Sequence, residues 1–208
     1  MLDIMQGQNQ NQKEQACYIR FFNGALGLET ADIFVNGELI SLGLRHGAFS
    51  EFRKAMPGAY KIEVKTGGKN SDVVFTELLS LMDNMAYTVA LAGDADHLML
   101  AVLALDLRRD IHLPNIRFAN VMPPGSVIDI DINGQRAAAG LMYMETSDDI
   151  TIQSGNHYIT VYDADSQKIL EDGLWIAAGK NYLGIIAGEM GESENPPELY
   201  VSEEMPVL

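Results

Sequence analysis

The chain repeats itself at long range. The tripeptide Ile-Arg-Phe occurs at residues 19–21 and again at 116–118, and the segment 32–37 recurs in altered form at 129–134. Both repeats are separated by 97 positions. Solenoid repeats have periods of about 20–50 residues, so this longer period indicates two copies of a whole domain. A domain of about 95 residues can bury roughly two-thirds of its unfolded surface without a disulfide or metal.

Each copy consists of short apolar runs separated by turn signals. Asn36-Gly37 and Asn133-Gly134 both lie between apolar runs, where Asn-Gly favours a type I′ hairpin turn because both positions need positive φ. Residues 61–65 alternate between polar and apolar side chains, which is typical of a half-buried strand. Short strands at regular intervals predict an all-β protein. We therefore expect two tandem antiparallel β-sandwich domains of immunoglobulin-like or transthyretin-like type.

The repeat and the composition together predict the domain boundaries. Residues 1–15 are rich in Gln and Asn and cannot bury enough apolar surface to order themselves, so they form a disordered polar tail. The first β-sandwich is predicted over 16–106, a linker over 107–113 and the second β-sandwich over 114–202. Residues 203–208 form a frayed C-terminal end. Because the linker is short, we expect the domains to touch or to be held at a limited range of angles.

The charge balance limits the classes of partner. The net charge is −15, from 29 acidic and 14 basic residues. Nucleic-acid binding requires a basic surface, and docking to anionic lipid also requires basic residues, so neither is expected. A membrane span needs about 18 or more consecutive apolar residues, and no such run is present. The N-terminus lacks the basic and apolar segments of a signal peptide, so the sequence as written predicts a cytoplasmic protein.

A series of strand and turn motifs resembles a known family. The motifs of the first copy occur, in order, at residues 20–21 (Arg-Phe), 32–37, 47–50 (Gly-Ala-Phe-Ser), 57–60 (Pro-Gly-Ala-Tyr), 87–88 (Tyr-Thr) and Gly93. The second copy keeps those at residues 117–118 and 129–134, and also Gly155, Tyr158, Tyr182 and Gly188. This order resembles a bacterial family known as domain of unknown function 4397, present here as two tandem copies.

The resemblance has consequences for fold and location. It implies tandem β-sandwich modules, often on exported or envelope-associated proteins, without an established activity. Its motifs are turn and strand signatures, so they specify the fold more than the function. The envelope location that the resemblance implies and the cytoplasmic location that the N-terminus predicts remain open alternatives.

An arginine and an aspartate recur with the same spacing in both copies. Arg20 precedes Asp32 by twelve positions, and Arg117 precedes Asp129 by the same number. A duplicated polar site is one interpretation. A contact that defines the fold is retained in both copies of a diverging repeat more readily than a catalytic site. We therefore predict a structural contact within each sandwich, either a strand-to-strand ion pair or a hydrogen-bonded clamp.

The second copy also contains a weak calcium motif. Asp129, Asp131 and Asn133 imitate the start of an EF-hand loop, but the twelfth position is Gly140 where that loop requires a bidentate Glu. The four histidines are scattered, and no nucleophile elbow, phosphate loop or dinucleotide-binding motif is present. We predict a non-catalytic protein without a cofactor and without a metal.

Tyrosine and tryptophan residues are concentrated in the second copy. They combine apolar area with a polar group and can form a platform for sugar or peptide, although core and cross-strand packing is the alternative. The residues concerned are Tyr143, Tyr158, Tyr162, Trp175, Tyr182 and Tyr200. The four selected as a binding surface are Tyr143, Tyr162, Trp175 and Tyr200.

These observations predict a binding or structural module, associated with the cell envelope or surface. Its expected partner is a protein or a glycan, and self-association through edge strands is a further expectation. The alternative is an intracellular enzyme or enzyme subunit with its site in the cleft between the domains. The differences between the copies point to where a site would lie: the loop 123–125, Asp131 and the aromatic residues of the second copy.

Overall fold

A computed structural model of the protein describes residues 16–68, 72–108, 113–191 and 193–204. The predicted tail at 1–15, part of the predicted linker and residues 205–208 lie outside the described residues. The described residues form sixteen strands, eight in each copy. In the first copy the strands are β1 (Cys17–Asn23), β2 (Thr30–Val35), β3 (Glu38–Arg45), β4 (Arg53–Ala55), β5 (Gly58–Thr66), β6 (Val73–Leu81), β7 (Met85–Gly93) and β8 (Leu98–Asp106).

The second copy repeats the same series. Its strands are β9 (Asn115–Asn120), β10 (Val127–Ile132), β11 (Gln135–Met142), β12 (Ile150–Thr151), β13 (Gly155–Asp163), β14 (Lys168–Ile176), β15 (Asn181–Ala187) and β16 (Glu198–Glu203). The last strand extends one residue into the segment that the sequence predicts to be frayed, and Glu204 behind it is buried. Within the described ranges, no helix is long and apolar enough to cross a membrane.

Each copy folds into two four-stranded sheets with the same strand order. The first copy pairs β4-β1-β7-β8 in one sheet and β3-β2-β5-β6 in the other, and the second pairs β12-β9-β15-β16 and β11-β10-β13-β14. The predicted tandem β-sandwiches are therefore confirmed. Neighbouring strands are antiparallel except for two pairs, β1 with β7 and β9 with β15, which are parallel. The strand pattern predicted antiparallel sandwiches and did not predict these two parallel pairs.

The two predicted Asn-Gly hairpin turns are confirmed. Asn36 and Gly37 have φ of 50° and 81°, and Asn133 and Gly134 have φ of 52° and 76°. All four residues thus have the positive φ that a type I′ turn requires. The turns set the register of β2 with β3 and of β10 with β11, which places Ile33 of the first copy inside its sandwich.

Strands β1 and β9 are buried on both faces. In β1, Ile19 and Phe21 pack into the core of the first sandwich, whereas Phe22 belongs to a different apolar cluster. Strand β9 divides in the same way, with Phe118 in the core of the second sandwich and Ala119 in the shared cluster. A strand that is covered on both faces is almost continuously apolar. In the β4-β1-β7-β8 sheet and in the β12-β9-β15-β16 sheet, the face that points away from the domain's own core is therefore covered by the other domain.

The shared cluster joins the two sandwiches face to face. It consists largely of small side chains, which allow two sheets to approach closely. Its buried members are Phe22, Ala90, Ala92, Ala101 and Leu103 from the first copy and Ala119, Val121, Leu183, Ile185 and Ala187 from the second. The domains are thus in direct contact, and the other sheet of each sandwich forms an outer layer.

The predicted Arg–Asp pairs do not form, although all four residues are described. Arg20 lies in the sheet that faces the other domain, whereas Asp32 lies in the outer sheet. The Asp32 carboxylate accepts a hydrogen bond from the backbone N–H of Gly43, 2.6 Å away. Gly43 has φ of 61° and lies where the register of β2 with β3 shifts. The repeated aspartate therefore stabilises a β-bulge.

The second copy shows the same use of its aspartate. Asp129 accepts a hydrogen bond from the backbone N–H of Gly140 at 2.7 Å, and Gly140 has φ of 65°. The two aspartates thus have the same local role in both copies, but it is not the role that the sequence spacing predicts. The predicted Arg–Asp pairing is wrong because residues that are twelve positions apart here lie in two different sheets of the sandwich.

Candidate functional site

The two repeated arginines connect the domains. The Arg20 guanidinium donates from Nη1 to Ser202 Oγ (2.6 Å) and to the backbone carbonyl of Glu203 (3.1 Å) in the second domain. Its Nε donates to Thr88 Oγ1 at 2.9 Å. Arg117 reaches in the opposite direction, because its Nη1 donates to the backbone carbonyl of Ala104 in the first domain at 2.6 Å. The arginines are thus related by the pseudo-symmetry of the repeat.

Both guanidinium groups are buried, and each is stabilised differently. Arg117 forms hydrogen bonds with the Glu204 carboxylate from Nε and Nη2, the shortest at 2.5 Å. The Arg20 guanidinium carbon lies 4.6 Å from the ring centroid of Phe49 and 4.4 Å from that of Phe52. Burial lowers the pKa of Arg20 to about 10, although the Glu204 carboxylate opposes this shift. These contacts are structural, because they hold the β4-β1-β7-β8 sheet of the first domain against the β12-β9-β15-β16 sheet of the second.

Two of the predicted binding aromatics also lie between the domains. The Tyr200 ring packs 5.4 Å from that of Phe22, and its hydroxyl donates to Glu198 Oε2 at 2.7 Å. Burial and this hydrogen bond raise the pKa of Tyr200. Tyr143 packs against the shared cluster, and its hydroxyl is 3.7 Å from Met99 Sδ. Neither ring is available as an open platform.

The other two predicted aromatics lie on the outer sheet of the second domain. In β13, Ile159 and Val161 point into the core, so the alternate residues Tyr158 and Tyr162 point outward. Strand β14 lies alongside, with Trp175 opposite Asn156 and with Gly173 opposite Tyr158. The structure therefore brings Trp175 close to Tyr158, which sequence reasoning noted among the aromatics but did not select.

The side chains of Trp175 and Tyr158 are open to solvent. They are 62% and 66% exposed. Among the described residues, neither the Trp175 indole N–H nor the Tyr158 hydroxyl has a hydrogen-bond partner. Gly173 is next to both of these residues, and a Cβ added there would meet no atom within 4 Å. We refer to Asn156, Tyr158, Gly173 and Trp175 as the aromatic face.

The aromatic face is specific to the second copy. The strand registers align Trp175 with Ser80, Gly173 with Leu78 and Tyr158 with Lys61. The first copy therefore has the same backbone and no aromatic side chain at these positions. The signal that would have selected Tyr158 is its alternation with Ile159 and Val161, which places it outward next to the predicted Trp175.

The calcium candidates lie on the same outer sheet, beside Tyr162. Asp129 and Asp131 both bind the guanidinium of Arg136, which lies 5.9 Å from the Tyr162 ring centroid. The Asn133 side chain accepts from the Tyr158 backbone N–H (2.9 Å) and bonds to the His157 ring. The two carboxylates thus face a cation that the protein itself supplies. Among the described residues, no group of three or more His, Cys, Asp or Glu side chains could hold a metal ion.

A cavity of about 400 Å³ opens between the edges of the two sheets in the second domain, beside His157. Both nitrogens of that ring are engaged, because Nε2 lies 2.8 Å from the Gln153 carbonyl and Nδ1 lies 2.9 Å from the Asn133 amide. The first domain has a smaller cavity of about 210 Å³ at the corresponding edge, beside Tyr60. Its recurrence indicates that this opening belongs to the sandwich architecture.

A groove of about 410 Å³ lies between the domains, lined in part by Asp94, Asp96, Glu189 and the predicted loop residues Pro123 and Pro124. The Asp94 carboxylate accepts hydrogen bonds from the backbone N–H groups of Asp96 and His97 within a turn. These bonds, that of His97 most of all, lower the pKa of Asp94. This carboxylate is therefore held ionised as part of the turn, unlike a general acid, whose pKa is raised.

Comparison with known proteins identifies both copies. A family model described as Domain of unknown function (DUF4397) matches residues 17–110 and again residues 114–206. No curated protein matches the chain.

Two solved structures, each described as a putative cell adhesion protein, show weak similarity. The structure from Bacteroides eggerthii DSM 20697 has 8% identity and a TM-score of 0.23, and the match covers 96% of this chain and 98% of that chain. The structure from Bacteroides fragilis NCTC 9343 has 11% identity and a TM-score of 0.22, and the match covers 82% of this chain and 70% of that chain. At these values, neither structure bears on the function of this chain.

Proposed function

The chain belongs to the DUF4397 family in both of its halves, and we propose that it is a non-catalytic binding module of the cell envelope or surface. The aromatic face of the second domain is the proposed binding surface. The observation that carries the proposal is the exposure of Trp175 and Tyr158 at diagonal positions on adjacent strands, next to Gly173, which leaves open the space beside both rings.

The fold itself does not require these two rings. Large aromatic side chains normally contribute to stability by burying about 150–250 Å² each, and these rings remain mostly exposed. The first domain forms the same sheet with Ser80 and Lys61 at the corresponding positions. Exposed apolar area that the fold does not need is typical of an interaction site.

The contact between the domains supports a non-catalytic role. Apolar side chains and the buried arginines fill most of this contact, and one of the carboxylates at its open groove, that of Asp94, accepts the hydrogen bonds of a turn. The pKa of the Asp94 carboxyl is lowered, whereas a general acid at this groove would need a raised pKa. Of the two outer sheets, only that of the second copy has aromatic residues at the positions compared.

Replacing Trp175 with alanine is expected to weaken binding to isolated cell envelopes of the native organism by at least tenfold. Exposed aromatic anchors often contribute more than about 2 kcal/mol to an interface, and 1.4 kcal/mol corresponds to a factor of ten. The measurement is the fraction of full-length protein that sediments with the envelope fraction over a range of protein concentrations.

Leu78→Ala is the matched control for this experiment. Leu78 is an exposed apolar residue on the outer sheet of the first domain, at the position that corresponds to Gly173. We expect Leu78→Ala to bind envelopes like the unmodified protein, and both variants to unfold within about 0.5 kcal/mol of it. Equal binding by Trp175→Ala and the unmodified protein would contradict the proposal.

A second copy of the chain is another candidate partner. Strand β6 is the edge of its sheet and exposes Val73, Val74 and Leu78, and an apolar edge strand can pair with another chain. This candidate predicts a mass that rises with protein concentration in light scattering, and a monomer at all concentrations for Val74→Lys. A concentration-independent monomer mass for the unmodified protein would exclude it.

A further inference from the structure

We infer that the aromatic face binds a glycan chain of neutral sugars or amino sugars. This inference rests on the proposed function, because it specifies the ligand of the same surface. The geometry of the two rings, the polar groups around them and the charge of the surface each support it.

The spacing of the rings suits a flat, ring-shaped ligand. Trp175 and Tyr158 are diagonal neighbours on adjacent strands, and diagonal neighbours in a sheet are about 7–8 Å apart. Gly173 lies opposite Tyr158 and two residues before Trp175, and it has no side chain, so a pyranose ring can approach the sheet beside both rings. The C–H groups on one face of a pyranose give it an apolar side that packs on an aromatic ring, while its hydroxyl groups remain at the edge.

Polar groups surround the rings where those hydroxyl groups would lie. Asn156 is directly opposite Trp175, and on the same face Glu171 is opposite Thr160. The unpartnered indole N–H and phenol hydroxyl add donors, and the Asn and Glu side chains add acceptors. An amphipathic helix would instead need a continuous apolar stripe. The alternation of rings with polar groups favours a ligand that is itself both apolar and rich in hydroxyls.

The charge of the surface selects among glycans. The basic side chains on this sheet are committed, since Arg136 binds Asp129 and Asp131 and Lys168 binds Glu171 at 3.0 Å. An acidic sugar would therefore meet no free cation among these pairs, on a protein of net charge −15. An amino sugar gains instead, because an ammonium group is attracted to the face of a Trp ring. Neutral and cationic glycans are thus favoured over anionic ones.

The single tryptophan makes the test direct. Trp175 is the only tryptophan of the chain, so its fluorescence reports on the aromatic face alone. Full-length protein is titrated with three hexasaccharides of comparable size: cellohexaose (neutral), a glucosamine hexamer (cationic) and a galacturonic acid hexamer (anionic). We expect a saturable change in Trp175 emission with at least one of the first two, and at least tenfold weaker binding of the third.

Gly173→Leu tests the geometry while both rings remain. The corresponding residue of the first copy is Leu78, and Gly173 has open space around it, so the variant is expected to fold normally. The leucine side chain fills the open space beside both rings. We expect it to raise the dissociation constant of the bound hexasaccharide at least tenfold. Leu78→Ala, in the other domain, should leave the dissociation constant unchanged.

The outcomes separate this inference from the proposed function. If no hexasaccharide alters Trp175 fluorescence while Trp175→Ala still weakens envelope binding at least tenfold, the glycan inference is overturned and the binding surface stands. If the anionic hexamer binds most tightly, the charge argument is overturned. If neither hexasaccharides nor envelopes bind, both proposals fail.

Discussion

Replacing Arg117 with alanine is expected to lower the free energy of unfolding by about 3–5 kcal/mol. Arg117 and Glu204 are both buried, and the guanidinium is the partner of both oxygens of that carboxylate. The substitution leaves the Glu204 charge buried without its cation and the Ala104 carbonyl without its donor. Removing one member of a buried pair is costly because the remaining group has lost its water as well as its partner.

The double variant Arg117→Met, Glu204→Met tests whether the loss of stability comes from leaving Glu204 without its partner. Replacing both members of a buried ion pair by apolar residues of similar size is often neutral or stabilising. We therefore expect the double variant to recover most of the loss, as measured by the urea midpoint of unfolding. Arg136→Ala removes an arginine that binds two carboxylates at the surface and should shift the midpoint far less. A similar shift for Arg117→Ala and Arg136→Ala would contradict the buried-clamp assignment.

The repeat and the turns were predictable because they depend on local chemistry. The Asn-Gly pairs need only their own backbone conformation, and strand alternation at 61–65 needs only one buried face. The partner of Arg20 was not predictable in this way. Its contacts lie in β7 and at residues 202–203 of the second domain. The largely apolar sequence of β1 is typical of a strand buried on both faces, but it does not indicate which element covers the second face.

The exposure of individual aromatic rings was not predictable from the sequence either. Composition identified the second copy as rich in tyrosine and tryptophan, but such a residue on an edge strand has the same local pattern whether its ring meets another domain or solvent. Tyr200 packs against Phe22 of the other copy, whereas Trp175 stays exposed. Only the packing of one sheet against the other separates these two cases.

The two copies have diverged to fit each other. Tyr200 of β16 corresponds by strand register to Ala101 of β8, and Gly47 corresponds to Met144 by the repeat of 97. The large ring of Tyr200 lies over Gly47. At the related position on the other side of the pseudo-symmetry axis, Met144 packs against the cluster that contains the small Ala101. A large residue on one copy is thus accommodated by a small one on the other.

This complementarity makes Gly47 a sensitive position. Gly47→Ala is expected to destabilise the protein by about 2–5 kcal/mol, the sum of two effects. A non-glycine residue at its φ of 74° costs about 1–2 kcal/mol. The new Cβ would also overlap the Tyr200 ring, and overpacking of this kind costs about 1–3 kcal/mol.

Two further variants separate the backbone cost from the overlap with Tyr200. Gly43→Ala introduces the same side chain at φ of 61° with no atom within 4 Å of its Cβ, so only the backbone cost of about 1–2 kcal/mol is expected. In a Tyr200→Ala background, Gly47→Ala should likewise cost only the backbone term, which gives a coupling of about 1–3 kcal/mol in the double-mutant cycle. A coupling near zero in urea unfolding would show that the Tyr200 ring does not rest on Gly47, and that the two domains do not pack in the complementary way described.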